Sequence, residues 1–181
     1  MIIMSETCKI ESESFVCNLT QFIKEVLPPN VNSYVEERIV KLLKIEPVSL
    51  QLLEKKLSKE LEVQSTDKNI NKYTLSIKTK VRIQPGVYLV YYQGKIVYVG
   101  EADNLARRLL GDIKYRWYNR KETYHTITRR LKKDNLNIED FLFSYVETQS
   151  KEIAVLIEAI LIDYYGEQLW NKIGNKLRKN N

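Results

Sequence analysis

The stretch GVYLVYYQGKIVYVG, from Gly86 to Gly100, holds two runs of β-branched and aromatic residues around Gln93-Gly94. Two such runs separated by a short glycine-containing turn predict a β-hairpin. Apolar or aromatic side chains fall on both faces of both predicted strands, which is typical of strands covered on two sides. We therefore expect the hairpin to lie between layers formed by other parts of the chain.

The sequence after the hairpin supplies helices and one further strand. Asp103 or Asn104 can cap the first helix. In chain order we predict a short helix over Leu105–Leu110 ended by Gly111, an irregular stretch over Asp112–Lys121, a helix over Glu122–Lys133 with Ile127 and Leu131 inward, a strand over Phe141–Val146, and a long helix that starts at Thr148 or Ser150 and ends near Gly166. This order predicts an α/β (α+β) fold in which helices flank a small three-stranded antiparallel or mixed sheet.

Residues 1–80 have a different pattern. Apolar residues recur with a helical period over Ser33–Ile45 and again over Val48–Leu61, and they alternate with polar ones over Tyr73–Ile77. We predict an N-terminal helical accessory region over residues 1–80, with a strand or wing, and a second unit over residues 81–181. Two helices and a strand could form a DNA-binding winged helix, but a helical accessory layer is the favoured interpretation.

Length and composition narrow the class of protein. The chain has 181 residues, of which 44% are hydrophobic and 29% charged, a balance typical of a globular protein. No apolar run approaches the roughly 18 residues needed to cross a bilayer, and the start has no secretory signal pattern, so we expect a cytoplasmic protein without a membrane partner. Cys8 and Cys17 are expected to be free thiols rather than a disulfide or a zinc site.

The net positive charge is concentrated in the second part of the chain. Residues 1–80 contain 12 basic and 11 acidic residues, against 17 and 12 in residues 81–181, and the net charge is +6. Such an excess favours a polyanionic partner. Two stretches are candidate contacts for nucleic acid: one interleaves cations with aromatic residues, and the other is a second basic cluster. Either stretch alone is more often a solvated face. The candidate residues are Lys114, Arg116, Trp117, Arg120 and Lys121 in the first stretch, and Arg129 and Arg130 in the second.

One acidic residue stands in an otherwise apolar helix. From Ile153 to Ile162 every residue except Glu158 is aliphatic or alanine, so we expect the helix to be largely buried. A buried, unpaired carboxylate costs several kcal/mol, so Glu158 requires a cation, which could be an arginine, a lysine or a metal ion. From this helix alone, a structural ion pair is the simpler explanation.

An ordered set of motifs favours a functional role for Glu158 over a structural ion pair. Gly86-Val87-Tyr88 and Tyr98-Val99-Gly100 fall on the two predicted strands, Arg108 follows the second tyrosine by ten positions, and Asn171 lies just beyond the Glu158 helix. Over about residues 85–172 this set resembles the GIY-YIG nuclease family, in which valine commonly replaces the isoleucine of the two tripeptides. The resemblance implies metal-dependent hydrolysis of a phosphodiester bond.

The resemblance also implies a role for each matching residue. Glu158 matches the carboxylate that binds Mg²⁺, or Mn²⁺ in its place. Arg108 matches the arginine that stabilises negative charge on the phosphoryl oxygens. Tyr88 and Tyr98 match the motif tyrosines, one of which positions or deprotonates the attacking water; acting as a base would require positive charge to lower its pKa. Asn171 matches the asparagine that helps to hold the site together.

Two positions depart from the family pattern or align loosely with it. Glu101 stands where the family often has a small or basic residue, and it could weaken phosphate attraction or add a second carboxylate near the metal; a solvated surface position is the favoured interpretation. His125, the single histidine, could act as an acid or base, as a histidine on the following helix does in some family members. A surface or hydrogen-bonded histidine is the favoured alternative.

Geometry gives two further expectations. A strict two-residue turn would pair Tyr88 with Val99 and place the two motif tyrosines on opposite faces. If both tyrosines face the site, as the resemblance implies, the loop must hold an odd number of residues or a β-bulge must intervene, and this is what we predict. Arg107 and Arg108 point about 100° apart on a helix. Because Arg108 lies beside the apolar stripe, it is expected to face the site, with Arg107 outside.

The leading hypothesis is a DNA endonuclease of the restriction or mobile-element type, for which a homodimer could cut both strands. A structure-specific repair nuclease is an alternative that usually carries further domains. A catalytically silent nucleic-acid-binding module is a second class, and a structural protein with a Glu158–Arg108 ion pair is a third.

Overall fold

The computed structural model describes residues 17–25, 27–59, 84–115 and 126–171. Its elements in chain order are α1 (residues 17–25), α2 (Pro29–Lys44), α3 (Leu50–Lys59), β1 (Gly86–Tyr92), β2 (Lys95–Ala102), a π-helix (Arg107–Tyr115), α4 (Thr126–Lys133), a 3₁₀ turn (Ile138–Asp140), β3 (Phe141–Glu147), α5 (Lys151–Tyr165) and a second 3₁₀ turn (Gly166–Gln168). The predicted strand over Tyr73–Ile77 and the thiol of Cys8 lie outside the described residues. Cys17 is an exposed free cysteine.

The three strands form one antiparallel sheet in the order β2-β1-β3. The β1–β2 turn has positive φ at Gln93 (50°) and Gly94 (76°), the left-handed backbone that a tight hairpin turn requires. The mixed α+β architecture and the predicted hairpin are therefore confirmed. β1 is the central strand, which agrees with its apolar residues on both faces.

A β-bulge interrupts the hairpin. Val90 pairs with Tyr98, whereas the next residue, Tyr91, pairs with Ile96, so Val97 is the extra residue in β2. The bulge shifts the register by one residue and places Tyr88 and Tyr98 on the same face of the sheet. The bulge predicted from the spacing of the two tyrosines is confirmed.

Helices cover both faces of the sheet, as expected for strands that are apolar on two sides. One face packs Tyr88, Val90, Phe141 and Phe143 against α3, the π-helix and α4, through residues that include Leu53, Leu109, Ile113, Ile127 and Leu131. The other face packs Val87, Leu89 and Val99 against α1, α2 and α5, through residues that include Ile23, Ile39, Ile157 and Leu161. The described N-terminal helices thus form part of both covering layers.

Two helix predictions need correction. The helix after the hairpin does not end at Gly111 but continues as a π-helix to Tyr115, because burial of Leu110 and Ile113 outweighs the cost of about 1 kcal/mol for a glycine inside a helix. Helix α5 is not buried all round, since Val155 is 44% exposed. Its N-terminus is capped as predicted by Ser150, whose hydroxyl accepts a hydrogen bond from the Ile153 N–H. Among the described residues no helix has the length and apolar character of a membrane span.

Candidate active site at the open edge of the sheet

The chain that follows α5 forms hydrogen bonds with the outer edge of β2, where the described sheet has no further strand. The Trp170 N–H donates to the Val97 carbonyl at 2.7 Å. The side-chain amide of Asn171 donates to the Val99 carbonyl at 2.6 Å and accepts from the Val99 N–H at 3.1 Å. Buried backbone groups on an edge strand need such partners, so this contact fixes Asn171 and stabilises the edge.

Helix α5 contacts the same edge of β2 at Glu101, two residues after Val99. Glu158 Oε1 accepts a hydrogen bond from the Glu101 N–H at 3.2 Å. Glu158 and Asn171, which are 13 positions apart in the sequence, therefore both contact the outer edge of β2. Glu158 comes from the helix that covers the other face of the sheet, yet the charge of its carboxylate acts on the hydroxyls of Tyr88 and Tyr98. The carboxylate therefore lies at the edge between the two faces.

The two motif tyrosines lie side by side. Their ring centroids are 6.1 Å apart with an interplanar angle of 28°, and their hydroxyls are hydrogen-bonded. Tyr88 is only 1% exposed. Gly100, its partner across the hairpin, leaves room for the ring, because a Cβ at this position would overlap the Tyr88 phenol. The glycine of the second tripeptide is thus a steric requirement of the first tyrosine.

The π-helix directs Arg108 toward the tyrosines. The Asn104 side chain accepts a hydrogen bond from the Arg107 N–H at 2.9 Å, which confirms one of the two predicted caps. Arg107 is 41% exposed and pairs with Asp103 at 2.8 Å, whereas Arg108 is 26% exposed and pairs with Asp112 at 3.4 Å. The Arg108 charge acts on both tyrosine hydroxyls, as expected for the inward arginine. The Arg108 Nε atom is buried and has no hydrogen-bond partner among the residues that the structure describes.

Glu158 carries a strongly perturbed carboxyl group. Burial, and then repulsion from the Glu101 carboxylate, raise its pKa from 4.5 to about 7, while the Glu101 N–H and Arg108 act in the opposite direction. In the described part of the chain Arg108 forms its ion pair with Asp112 rather than with Glu158. The geometry therefore does not supply the Glu158–Arg108 ion pair of the structural hypothesis, and Glu158 is left short of positive charge.

Neither tyrosine has a pKa low enough to act as a base near neutral pH. Burial, followed by the Glu158 charge, raises the pKa of Tyr98 to about 12. Burial, followed by Tyr98, raises the pKa of Tyr88 well above 10. Both hydroxyls are neutral near pH 7 and can donate hydrogen bonds, so deprotonation would require additional positive charge at the site.

The carboxylates at this site suit a cation that keeps most of its coordinated water molecules. Within the described ranges no group of three or more His, Cys, Asp or Glu residues could hold a metal ion. Two glutamates do lie together, because Glu158 Oε1 accepts a hydrogen bond from the backbone N–H of Glu101. The buried Oε2 atom of Glu101 has no hydrogen-bond partner among the described residues. Mg²⁺ is commonly bound by one or two carboxylates plus water, so these residues fit Mg²⁺ or Mn²⁺ rather than an ion enclosed by protein ligands.

Two features of this site differ from the sequence expectation or were missed by it. Glu101 is half-buried, not a solvated surface residue, because the end of β2 is covered by α5. Asp112 lies in the predicted irregular stretch, although its position four residues after Arg108 is the spacing of a helical ion pair. Recognising that the helix continues past Gly111 would have identified it.

The predicted nucleic-acid contacts are only partly described. Arg116, Trp117, Arg120, Lys121 and His125 lie outside the described residues, and of Lys114 only the backbone is described. Arg129 and Arg130 are exposed on α4. Arg130 forms an ion pair with Asp134 and lies over the Trp170 ring at 5.4 Å from its centroid, so it also has a packing role.

Compared with models of protein families, with curated proteins and with solved structures, the chain has no match in any of the three.

Proposed function

We propose that the protein is a metal-dependent endonuclease that hydrolyses DNA phosphodiester bonds, as the resemblance to GIY-YIG nucleases implies. One observation carries this proposal. Tyr88, Tyr98, Arg108 and Glu158 come from four separate elements and form one electrostatically coupled group at the edge of β2. Asn171 binds the same edge. Perturbed titratable groups that converge in this way are typical of active sites.

The half-buried carboxylate of Glu158 would hold Mg²⁺ or Mn²⁺, with Glu101 beside it. When bound, this ion would stabilise charge on the scissile phosphate and on the leaving oxygen. The ion would also relieve the shortage of positive charge around Glu158.

Arg108 would bind the phosphate. Its Nη1 atom is held by Asp112, and its buried Nε atom has no partner in the described structure. A guanidinium that is anchored at one end and has an unused N–H donor is suited to a phosphoryl oxygen. Tyr98, the more exposed of the two tyrosines, would orient the attacking water through its neutral hydroxyl. The buried Tyr88 would hold the Tyr98 hydroxyl in place through their mutual hydrogen bond.

The excess of basic residues in 81–181 supports DNA as the partner of this site. A restriction-type or mobile-element enzyme is the favoured class, and a structure-specific repair nuclease is the alternative. A homodimer would provide two sites for cutting both strands. A cytoplasmic location is part of this proposal.

A catalytically silent nucleic-acid-binding module is the second candidate. Arg108 already has a carboxylate partner in Asp112, and both tyrosines are neutral, so the group could serve only to bind a phosphate. The two candidates differ in whether a phosphodiester bond is broken.

A substrate panel separates these candidates. The folded protein is incubated with Mg²⁺ and supercoiled DNA, linear duplex, single-stranded DNA or RNA, and Arg108→Ala serves as the inactive control. A nuclease cuts at least one DNA substrate, and the cutting is lost with Arg108→Ala. Salt-sensitive binding without cutting would establish the binding module, and neither binding nor cutting would reject both.

A further inference from the structure

We propose that Glu101 is a second carboxylate ligand for the divalent cation, acting together with Glu158. The inference rests on the proposed metal-dependent function and adds a residue to its site. A cation between two carboxylates is bound more tightly than by one, because affinity for such ions depends on the charge and number of the ligands.

The sheet places Glu101 on the same side as Glu158. Glu101 pairs with Val87 across the hairpin, and its side chain shares a face with Val99, two residues earlier. Val87 and Val99 are both fully buried in the cluster that includes α5. Because α5 carries Glu158, the two glutamates approach each other from the strand and from the helix that covers it.

A direct contact fixes this approach. The Glu101 N–H donates to Glu158 Oε1 at 3.2 Å, so the Glu158 carboxylate sits against the residue that carries the second carboxylate. The two carboxylates are close enough to repel each other. Within the described part of the chain the buried Oε2 atom of Glu101 has no hydrogen-bond partner, whereas a buried carboxylate oxygen normally has one.

The neighbouring arginines of the described structure are already committed to other carboxylates. Arg107 pairs with Asp103 at 2.8 Å, and Arg108 pairs with Asp112 at 3.4 Å. Two half-buried, mutually repelling carboxylates are expensive without a counter-charge, and a divalent cation with its waters would balance both.

Mg²⁺ titration by calorimetry, on the whole protein without nucleic acid, tests the proposal. Glu101→Gln keeps the size of the side chain and removes its charge, and we expect it to weaken Mg²⁺ binding about tenfold or more. Glu158→Gln should weaken it at least as much. Glu147→Gln, at the end of β3 and also half-buried, is the matched control and should bind as the wild type does. Glu101→Asp keeps the charge and should retain part of the affinity.

A second readout excludes a simple loss of folding. In EDTA, Glu101→Gln should unfold at an equal or higher denaturant concentration than the wild type, because a repulsion has been removed.

If Glu101 is instead paired with a basic side chain of the chain, the variant is less stable in EDTA and binds Mg²⁺ normally, which overturns the inference. Normal binding by Glu101→Gln with loss in Glu158→Gln also overturns it and leaves the proposed function standing. A wild type that binds neither Mg²⁺ nor Mn²⁺ would refute the metal site of the proposed function itself.

Discussion

The side chain of Asn171 forms two hydrogen bonds with the backbone of Val99, which precedes it by 72 residues: it donates to the carbonyl at 2.6 Å and accepts from the N–H at 3.1 Å. Asn171 is only 8% exposed. This contact replaces the strand that the outer edge of β2 lacks at this point, and it attaches the end of the described chain to the strand that carries Tyr98.

Asn171→Ala should lower the free energy of unfolding by about 2–4 kcal/mol, because two buried backbone groups lose their partners. Urea unfolding followed by far-UV circular dichroism measures this loss. Asn137, whose side chain caps an exposed 3₁₀ turn, provides the comparison, and Asn137→Ala should cost about 1 kcal/mol or less. Equal losses in the two variants would mean that the contact with Val99 does not stabilise the edge.

Glu158 should make the metal-free protein less stable as the pH rises. Its pKa is about 7 in the folded protein against an ordinary 4.5, so the folded state holds the proton more tightly. The resulting stabilisation is complete below pH 4.5 and is lost as the pH rises to about 7. Relative to the wild type in EDTA, Glu158→Gln should therefore gain about 2 kcal/mol between these pH values. A constant difference from pH 4.5 to pH 8 would show that the carboxyl titrates normally.

Gly100→Ala should displace the Tyr88 ring, since the added Cβ overlaps its phenol. Because Tyr88 is fully packed, we expect a loss of about 1–3 kcal/mol in the free energy of unfolding, together with most of the proposed nuclease activity. Gly94→Asn, at the exposed turn with φ +76°, places a residue that tolerates this backbone and should change neither property. Wild-type activity in Gly100→Ala would mean that the position of Tyr88 is unimportant.

Asp112→Asn should reduce kcat about tenfold with little change in KM, because Arg108 loses the charged partner that holds its guanidinium. The readout is steady-state cleavage over a range of DNA concentrations. Asp103→Asn breaks the equivalent pair on the outer side of the same segment, with the exposed Arg107, and should leave kcat within about twofold. Equal effects from the two variants would contradict a positioning role for Asp112.

Much of the structure from residue 86 onward could be predicted from local patterns. The hairpin follows from two β-rich runs, and the bulge follows from the requirement that Tyr88 and Tyr98 share a face. The caps at Asn104 and Ser150 were among the predicted alternatives. The hairpin and the caps depend on the backbone preferences of a few neighbouring residues, so the sequence contains the necessary information. The bulge is expected only because the resemblance places both tyrosines in one site.

Features that depend on distant contacts could not be predicted in this way. The helix continues past Gly111 because Ile113 reaches the core, and a glycine alone is indistinguishable from a helix end. Glu101 is half-buried because α5, which follows it by about 50 residues, covers the end of β2. The pKa values of Tyr88 and Tyr98 are likewise raised by burial and by the charge of Glu158, and only folding brings these groups together.

The most direct test of the central claim is the rate of nicking of supercoiled plasmid by the wild type and by Glu158→Gln, at pH 8 with Mg²⁺ and again with EDTA. We predict that the wild type nicks with Mg²⁺ and not with EDTA, that Glu158→Gln is at least about 100-fold slower, and that Glu147→Gln is unaffected. Nicking by the wild type in EDTA, or by Glu158→Gln at the wild-type rate, would contradict the assignment of Glu158 as the metal-binding carboxylate of a nuclease.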